Sequence, residues 1–137
     1  CEYMTGGVVV ILGAIGKNFG AGMSGGEAYV FDAKGALKVK LSRERVRIEK
    51  LKDARDCHLV RLLLENHVRH TGSAKARHIL DQWRACKRQF TKVVPDTYAE
   101  VVARNLAQGR DIRSAPPPKV LLAPLLQRES IAREFYE

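Results

Sequence analysis

The sequence predicts a mainly β plus α fold: the end of a right-handed, single-stranded parallel β-helix, followed by a small helical C-terminal region. Three observations carry this expectation. Nine of the eleven glycines fall within residues 1–36, between short β-prone runs. A glycine-rich phrase recurs at an offset of 19 residues. From Asp53 onward the spacing of apolar residues changes from strand-like to helical.

The strands come first. Val8-Val9-Val10-Ile11-Leu12 and Ala28-Tyr29-Val30-Phe31 are short β-branched and aromatic runs bounded by glycine, which read as strands. Met4-Thr5-Gly6-Gly7 is echoed by Met23-Ser24-Gly25-Gly26, and each copy leads into one of those strands. A period near 20 with strand and glycine at matching phases marks a stacked solenoid. Each coil must turn tight corners, and a corner often needs positive φ or close backbone approach, so Gly6, Gly7, Gly13, Gly16, Gly20, Gly22, Gly25 and Gly26 are assigned as structural corners. Two coils cannot bury a core of their own. The first stretch therefore reads as the last coils of a longer solenoid, and residues 1–50 as coils plus exit strands. Leu37, Val39 and Leu41 share one alternating phase and Val46 and Ile48 another, which predicts one or two edge strands.

Helices follow over residues 51–110. Asp53 is placed to N-cap a helix from Ala54 to His70, with Leu59, Leu62, Leu63 and Asn66 along one face and Gly72 as its stop. Ser73 caps a second helix, with Ala76, Ile79, Leu80 and Trp83 at i, i+3, i+4 and i+7. Phe90–Val94 reads as extended. Pro95 suits the first position of a third helix that carries Tyr98, Val101, Val102 and Leu106 and stops near Gly109. Pro116-Pro117-Pro118 opens a Pro-rich tail over 111–137, in which Lys119–Glu137 is weakly amphipathic.

Composition narrows the class of protein. With 137 residues, 45% of them hydrophobic, the chain suits one ordinary domain. Gly6–Ile15 is far shorter than the roughly 20 residues that span a bilayer, and no targeting segment is visible. Cys1, Cys57 and Cys86 form neither a disulfide framework nor a metal knuckle, and their odd number suits a reducing cytoplasm. The sequence opens at Cys1 in mid-pattern, which suggests a piece of something longer. The net charge of +9 lies wholly beyond Ala36, since the residues up to there carry two basic and three acidic side chains. The basic residues are interspersed with acids (Arg43-Glu44-Arg45, Lys52-Asp53, Arg55-Asp56) and lack the interleaved aromatics of a single-strand platform. A solvated helical surface is expected, with an acidic partner surface as the alternative and no nucleic acid.

Several motifs tempt. Gly20-Ala21-Gly22-Met23-Ser24-Gly25 spells G-x-G-x-x-G, but a dinucleotide site needs a helix to open on its last glycine, and a strand follows here. Gly16-Lys17-Asn18 resembles the end of a phosphate loop, yet Ile11 stands where the first glycine belongs and Asn18 where a hydroxyl is needed. His67 and His70, three apart, find no carboxylate or thiolate in register to complete a metal shell. Cys1 could act as an N-terminal nucleophile, but coil-like residues follow it. No catalytic, cofactor-binding or metal residue is assigned.

Cys1–Gly7, Val8–Gly13, Gly16–Phe19 and Gly22–Val30 closely resemble the glutamate synthase family, at the end of the GXGXG β-helix domain of its large subunit. The resemblance continues through His67–Ser73, Ile79–Trp83 and Lys92–Pro95, covers about residues 1–110, and is specific from Glu2 to Val30. Gly20 stands where that family usually has Ala, and from about Ile112 the tail resembles nothing in it. The resemblance implies an enzyme that makes two glutamates from glutamine and 2-oxoglutarate with electrons from NADPH, NADH or ferredoxin. It implies FMN and an iron–sulfur cluster held by upstream amidotransferase and synthase domains, a small electron-transfer subunit in some members, and a structural role for this segment. The alternative is a freestanding GXGXG assembly subunit of a split glutamate synthase or of a formylmethanofuran-dehydrogenase-like complex. A third reading is nucleic-acid binding by the basic helical half, which would weaken steeply with salt.

Overall fold

A computed structural model describes residues 1–42 and 45–113. The architecture is mixed α/β, built on one open sheet of four strands. Strands β1 (Thr5–Ile11) and β2 (Gly25–Phe31) come first, then the short helix α1 (Leu37–Lys40) and strand β3 (Val46–Lys50). Helices α2 (Ala54–Thr71), α3 (Ala74–Asp81) and α4 (Trp83–Cys86) follow, then a 3-10 turn, strand β4 (Phe90–Pro95) and helix α5 (Asp96–Ala107). The spatial order is β1-β2-β4-β3, with β1 parallel to β2 and the other pairs antiparallel. A strand from the helical stretch thus lies between β2 of the glycine-rich stretch and the exit strand β3.

The 19-residue repeat is visible as register. Val8 pairs with Glu27, Val9 with Ala28, Val10 with Tyr29 and Ile11 with Val30, so each residue stacks on its own repeat copy. The chain retraces a second part of its path as well. Phe19 bridges Leu41 in parallel, its N–H donating to the Lys40 carbonyl at 2.9 Å and its carbonyl accepting from Ser42 at 2.8 Å.

Strand alternation sorts side chains onto two faces. Val8, Val10, Leu12, Tyr29, Phe31 and Phe90 point to the helical side, where they meet Leu59, Val60 and Leu64 of α2, Ala76 and Ile79 of α3, and Cys86. Phe31 and Trp83 each pack obliquely against Phe90, with ring centroids 5.2 and 6.1 Å away. Val9, Ile11, Ala28, Val30 and Val93 point to the other side, where the β1–β2 connection supplies Phe19 and Met23 and α1 supplies Leu37.

The helix boundaries follow their local chemistry. The Asp53 side chain accepts hydrogen bonds from the N–H groups of Arg55 and Asp56, and Gly72 ends α2 in the left-handed conformation at φ 65°. Ser73 accepts from the Ala76 N–H and opens α3. Three details differ from the sequence expectation. Leu37–Lys40 is a helical turn rather than a strand, because both carboxylate oxygens of Asp32 accept from the N–H groups of Ala36 and Leu37 and wind the chain there. The buried face of α2 runs through Asp56, Leu59, Val60 and Leu64, rotated from the Leu62–Asn66 side, because the sheet receives Val60 and Leu64 one turn apart. Pro95 ends β4 and stands before α5 as its cap residue rather than inside the helix. Lys119–Glu137 and the triple proline lie outside the described residues.

Candidate functional site

Two groupings stand out on this frame. The first is a buried network of charges where α2 meets the sheet. Glu27 and Tyr29 come from β2, Lys92 from β4, and Arg55 and Asp56 from the first turn of α2. Lys92 Nζ donates to Asp56 Oδ2 at 2.8 Å and pairs with Glu27 Oε1 at 3.0 Å. Arg55 bridges the other oxygens, at 2.9 Å to Glu27 Oε2 and 2.8 Å to Asp56 Oδ1. The Tyr29 hydroxyl donates to Glu27 Oε2 at 3.2 Å. Two carboxylates and two cations balance, and no buried side-chain polar atom among the described residues lacks a partner.

This pairing decides the protonation states. Burial alone would push the Asp56 carboxyl up, but the hydrogen bond and charge of Lys92, with Arg55 beside them, hold it below its usual value. Burial likewise opposes the Lys92 ammonium, and Asp56 and Glu27 outweigh it and raise its pKa. Burial and the adjacent carboxylates push the Tyr29 hydroxyl far up, so it remains a neutral donor. Every ionisable group of the network is thus committed to another member, and the arrangement fastens α2 to β2 and β4. A cleft of about 200 Å³ beside it is closed on one side by Tyr98, Val102 and Leu106 of α5.

The second grouping is the contact between the two repeat copies. A methyl group at Gly25 would stand 2.2 Å from the Thr5 carbonyl oxygen. One at Gly26, where φ is +83°, would meet the Gly6 and Gly7 backbone at 2.8 Å. Only glycine permits this approach. Gly6 and Gly7 are their repeat counterparts, and Gly7 has nearly the same φ, +80°, yet nothing lies within 4 Å of a methyl group placed at either. Gly6, Gly7, Gly25 and Gly26 lie inside β1 and β2. Gly20 and Gly22 take positive φ in the connection, and Gly13 and Gly16 stand there in open space.

The tempting motifs come apart in three dimensions. The G-x-G-x-x-G phrase ends on Gly25, the first residue of β2, so no helix N-terminus faces a phosphate there. His67 is exposed on α2, and among the described residues no group of three His, Cys, Asp or Glu side chains could hold a metal. Cys57 is half-buried and Cys86 buried, each a free thiol. No third Cys, His, Asp or Glu side chain joins them in a metal-holding group among the described residues, so these thiols do not make up the ligand set of an iron–sulfur cluster. No described helix is long and apolar enough to cross a membrane. Sequence reasoning missed the charge network. Its one local signal was a pair of opposite charges, Glu27 and Lys92, set within otherwise apolar strand runs.

Comparison with known proteins agrees with the glycine pattern. The family model described as "GXGXG motif" matches residues 1–96. The chain is 48% identical over 105 residues to the glutamate synthase [NADPH] large chain of Bacillus subtilis, covering 75% of this chain and 7% of the relative. It is 41% identical over 122 residues to the glutamate synthase [NADH] of Schizosaccharomyces pombe, covering 89% and 6%. It is 43% identical over 110 residues to ferredoxin-dependent glutamate synthase 1, chloroplastic/mitochondrial, of Arabidopsis thaliana, covering 80% and 7%. The alignment with the Schizosaccharomyces protein is too long to stop at residue 110, so the likeness extends into the tail. The chain therefore spans less than a tenth of the length of these relatives. With its match over residues 1–96, its paired glycines and these relatives, the chain belongs to the GXGXG motif family.

Proposed function

We propose that this chain is a non-catalytic scaffold segment of a glutamate synthase large chain, in its C-terminal part. In this reading residues 1–50 are the last coils of a right-handed parallel β-helix with their exit strands, residues 51–110 form the helical region that closes it, and 111–137 are a tail. Glutamate formation from glutamine and 2-oxoglutarate takes place on upstream domains in the cytoplasm. FMN, the iron–sulfur cluster and the site for NADPH, NADH or ferredoxin belong there or on a small electron-transfer partner. No step of that chemistry is assigned to residues of this chain.

The observation that carries the reading is the mismatch between the two glycine pairs. Gly25 and Gly26 are required by the backbone of Thr5–Gly7 stacked on them. Gly6 and Gly7 occupy the same place one repeat earlier, and among the described residues nothing lies within 4 Å of a methyl group added there. A preceding coil with its backbone over Gly6 would make both pairs equivalent. The parallel Phe19–Leu41 bridge supports this, because the chain then retraces two sides of one coil.

The test compares Gly6→Ala in this chain and in the full-length large chain. In this chain the variant should melt as the parent does. In the large chain it should lower the unfolding temperature of the β-helix and reduce the yield of folded enzyme. Equal behaviour in the two contexts, or glutamate formation by this chain alone at the rate of a whole enzyme, would overturn the proposal.

A further inference from the structure

The two edges of the sheet are guarded differently. At one edge β3 is short, and three of its five residues, Arg47, Glu49 and Lys50, are charged, which blunts it against pairing. At the other edge β1 has seven residues and no charge. Its backbone groups that point away from β2 form no ladder among the described residues. Helix α2 does not stop at this edge. Leu63, Leu64 and His67 stand over it and form, with Val8, Val10 and Leu12, a groove of about 560 Å³. Leu63 is half-buried and His67 exposed, so the middle of α2 borders the groove without filling it.

We infer that the overhanging segment Leu63–His67 of α2 is the docking surface for the strand of the preceding glycine-rich coil, which pairs parallel to β1 and tucks its apolar side chains beneath the helix. The inference rests on the scaffold reading above and adds the partner and the contact. Several observations select this occupant. The groove is apolar and long in the strand direction, as a strand with side chains of the Val8, Val10, Leu12 kind requires. The β1–β2 pair shows the geometry of one coil on the next, in a 19-residue register. Gly6 and Gly7 hold open the close approach that such a coil needs. The relatives are more than ten times longer than the segment they share with this chain, so chain is available to fill it. Helix α2 then acts as a strut across two successive coils: α2 is fastened at its first turn by the charge network, and at its middle by the earlier coil.

The experiment uses the full-length large chain with a benzophenone side chain encoded at position 67, and at position 69 as a control. Residue 69 is exposed and lies on the far side of the helix, two residues on. Photolysis and peptide mapping should show position 67 joined to the segment about one 19-residue repeat before β1, with several-fold less product from position 69. Hydrogen exchange is measured on the same protein for those Val8–Ile11 amides that point away from β2. Protected amides with a crosslink to any other region, to a second copy, or at equal yield from position 69 would overturn the inference and leave the coil reading intact. Free exchange of those outward-pointing amides would overturn both.

Discussion

Lys92 of β4 reaches Asp56 of α2 at 2.8 Å, and 36 residues of chain separate them. The contact ties the middle of the sheet to the start of the longest helix, with both partners buried. Removing one side of such a pair leaves a charge without compensation in a dry site. Lys92→Met should destabilise the chain by about 3–5 kcal/mol, since Glu27 and Asp56 would then share Arg55 alone. Denaturant unfolding of parent and variant measures this. An effect below about 1 kcal/mol would show the network to be solvated. A double-mutant cycle with Asp56→Ala should give a coupling of about 0.5–3 kcal/mol.

The same network sets a pH window. Asp56 is held below its usual pKa, so its contribution is present above the unfolded-state value near 3.9 and is lost as pH falls through the lower folded value. Lys92 and Tyr29 are raised, so theirs is complete below the unfolded-state values near 10 and is lost as pH rises through the higher folded ones. Stability should be flat from about pH 5 to about pH 9 and fall on both sides. Unfolding midpoints across pH 3–11 check this. In Lys92→Met the acid limb should become shallower, because Asp56 loses the cation that lowers its pKa most.

Asp53 offers a test of local structure. Its carboxylate accepts from the Arg55 N–H at 2.8 Å and the Asp56 N–H at 3.2 Å, satisfying groups that α2 leaves open at its start. Asp53→Ala should cost about 1 kcal/mol, and Asp53→Asn much less. The measurement is the helical signal at 222 nm during thermal unfolding. Equal losses for the two variants would indicate that the charge, through Arg113 at 3.6 Å, matters more than the cap.

What was legible beforehand follows the range of the interactions involved. Asp53, Gly72 and Ser73 could be placed because a cap acts within three residues of itself. The 19-residue register could be read because both copies are written out in the chain. Leu37–Leu41 misled because the alternation of Leu37, Val39 and Leu41 is weaker than the two hydrogen bonds that the Ala36 and Leu37 N–H groups donate to Asp32, and Val39 stays exposed. The α2 stripe was turned because Leu62, Leu63 and Leu64 follow one another, and only the sheet decides which of them is covered. The charge network stayed hidden for a different reason. It joins residues 27, 56 and 92 through the antiparallel insertion of β4 beside β2, a pairing with no local signature.

That insertion makes β2 a central strand, and the close approach on its other side is the feature most open to direct attack. Gly25 stands where an added methyl group would lie 2.2 Å from the Thr5 carbonyl oxygen and 2.9 Å from its carbon, both backbone atoms that cannot swing aside. Gly25→Ala must push β1 away from β2, and overpacking of this kind costs about 1–3 kcal/mol. The loss should be concentrated in β1, whose only ladder among the described residues is the one with β2. Gly13→Ala is the control, since nothing lies within 4 Å of its added methyl group, and it should change stability by less than about 0.5 kcal/mol. Hydrogen exchange resolves the two cases. In Gly25→Ala the amides of Val8–Ile11 should exchange faster while those of β4 stay protected, because β4 is held independently by β3 and the charge network. Uniform acceleration across β1 and β4 would mean that the sheet yields as one unit, and that the contact of the repeat copies is not a separable element of its stability.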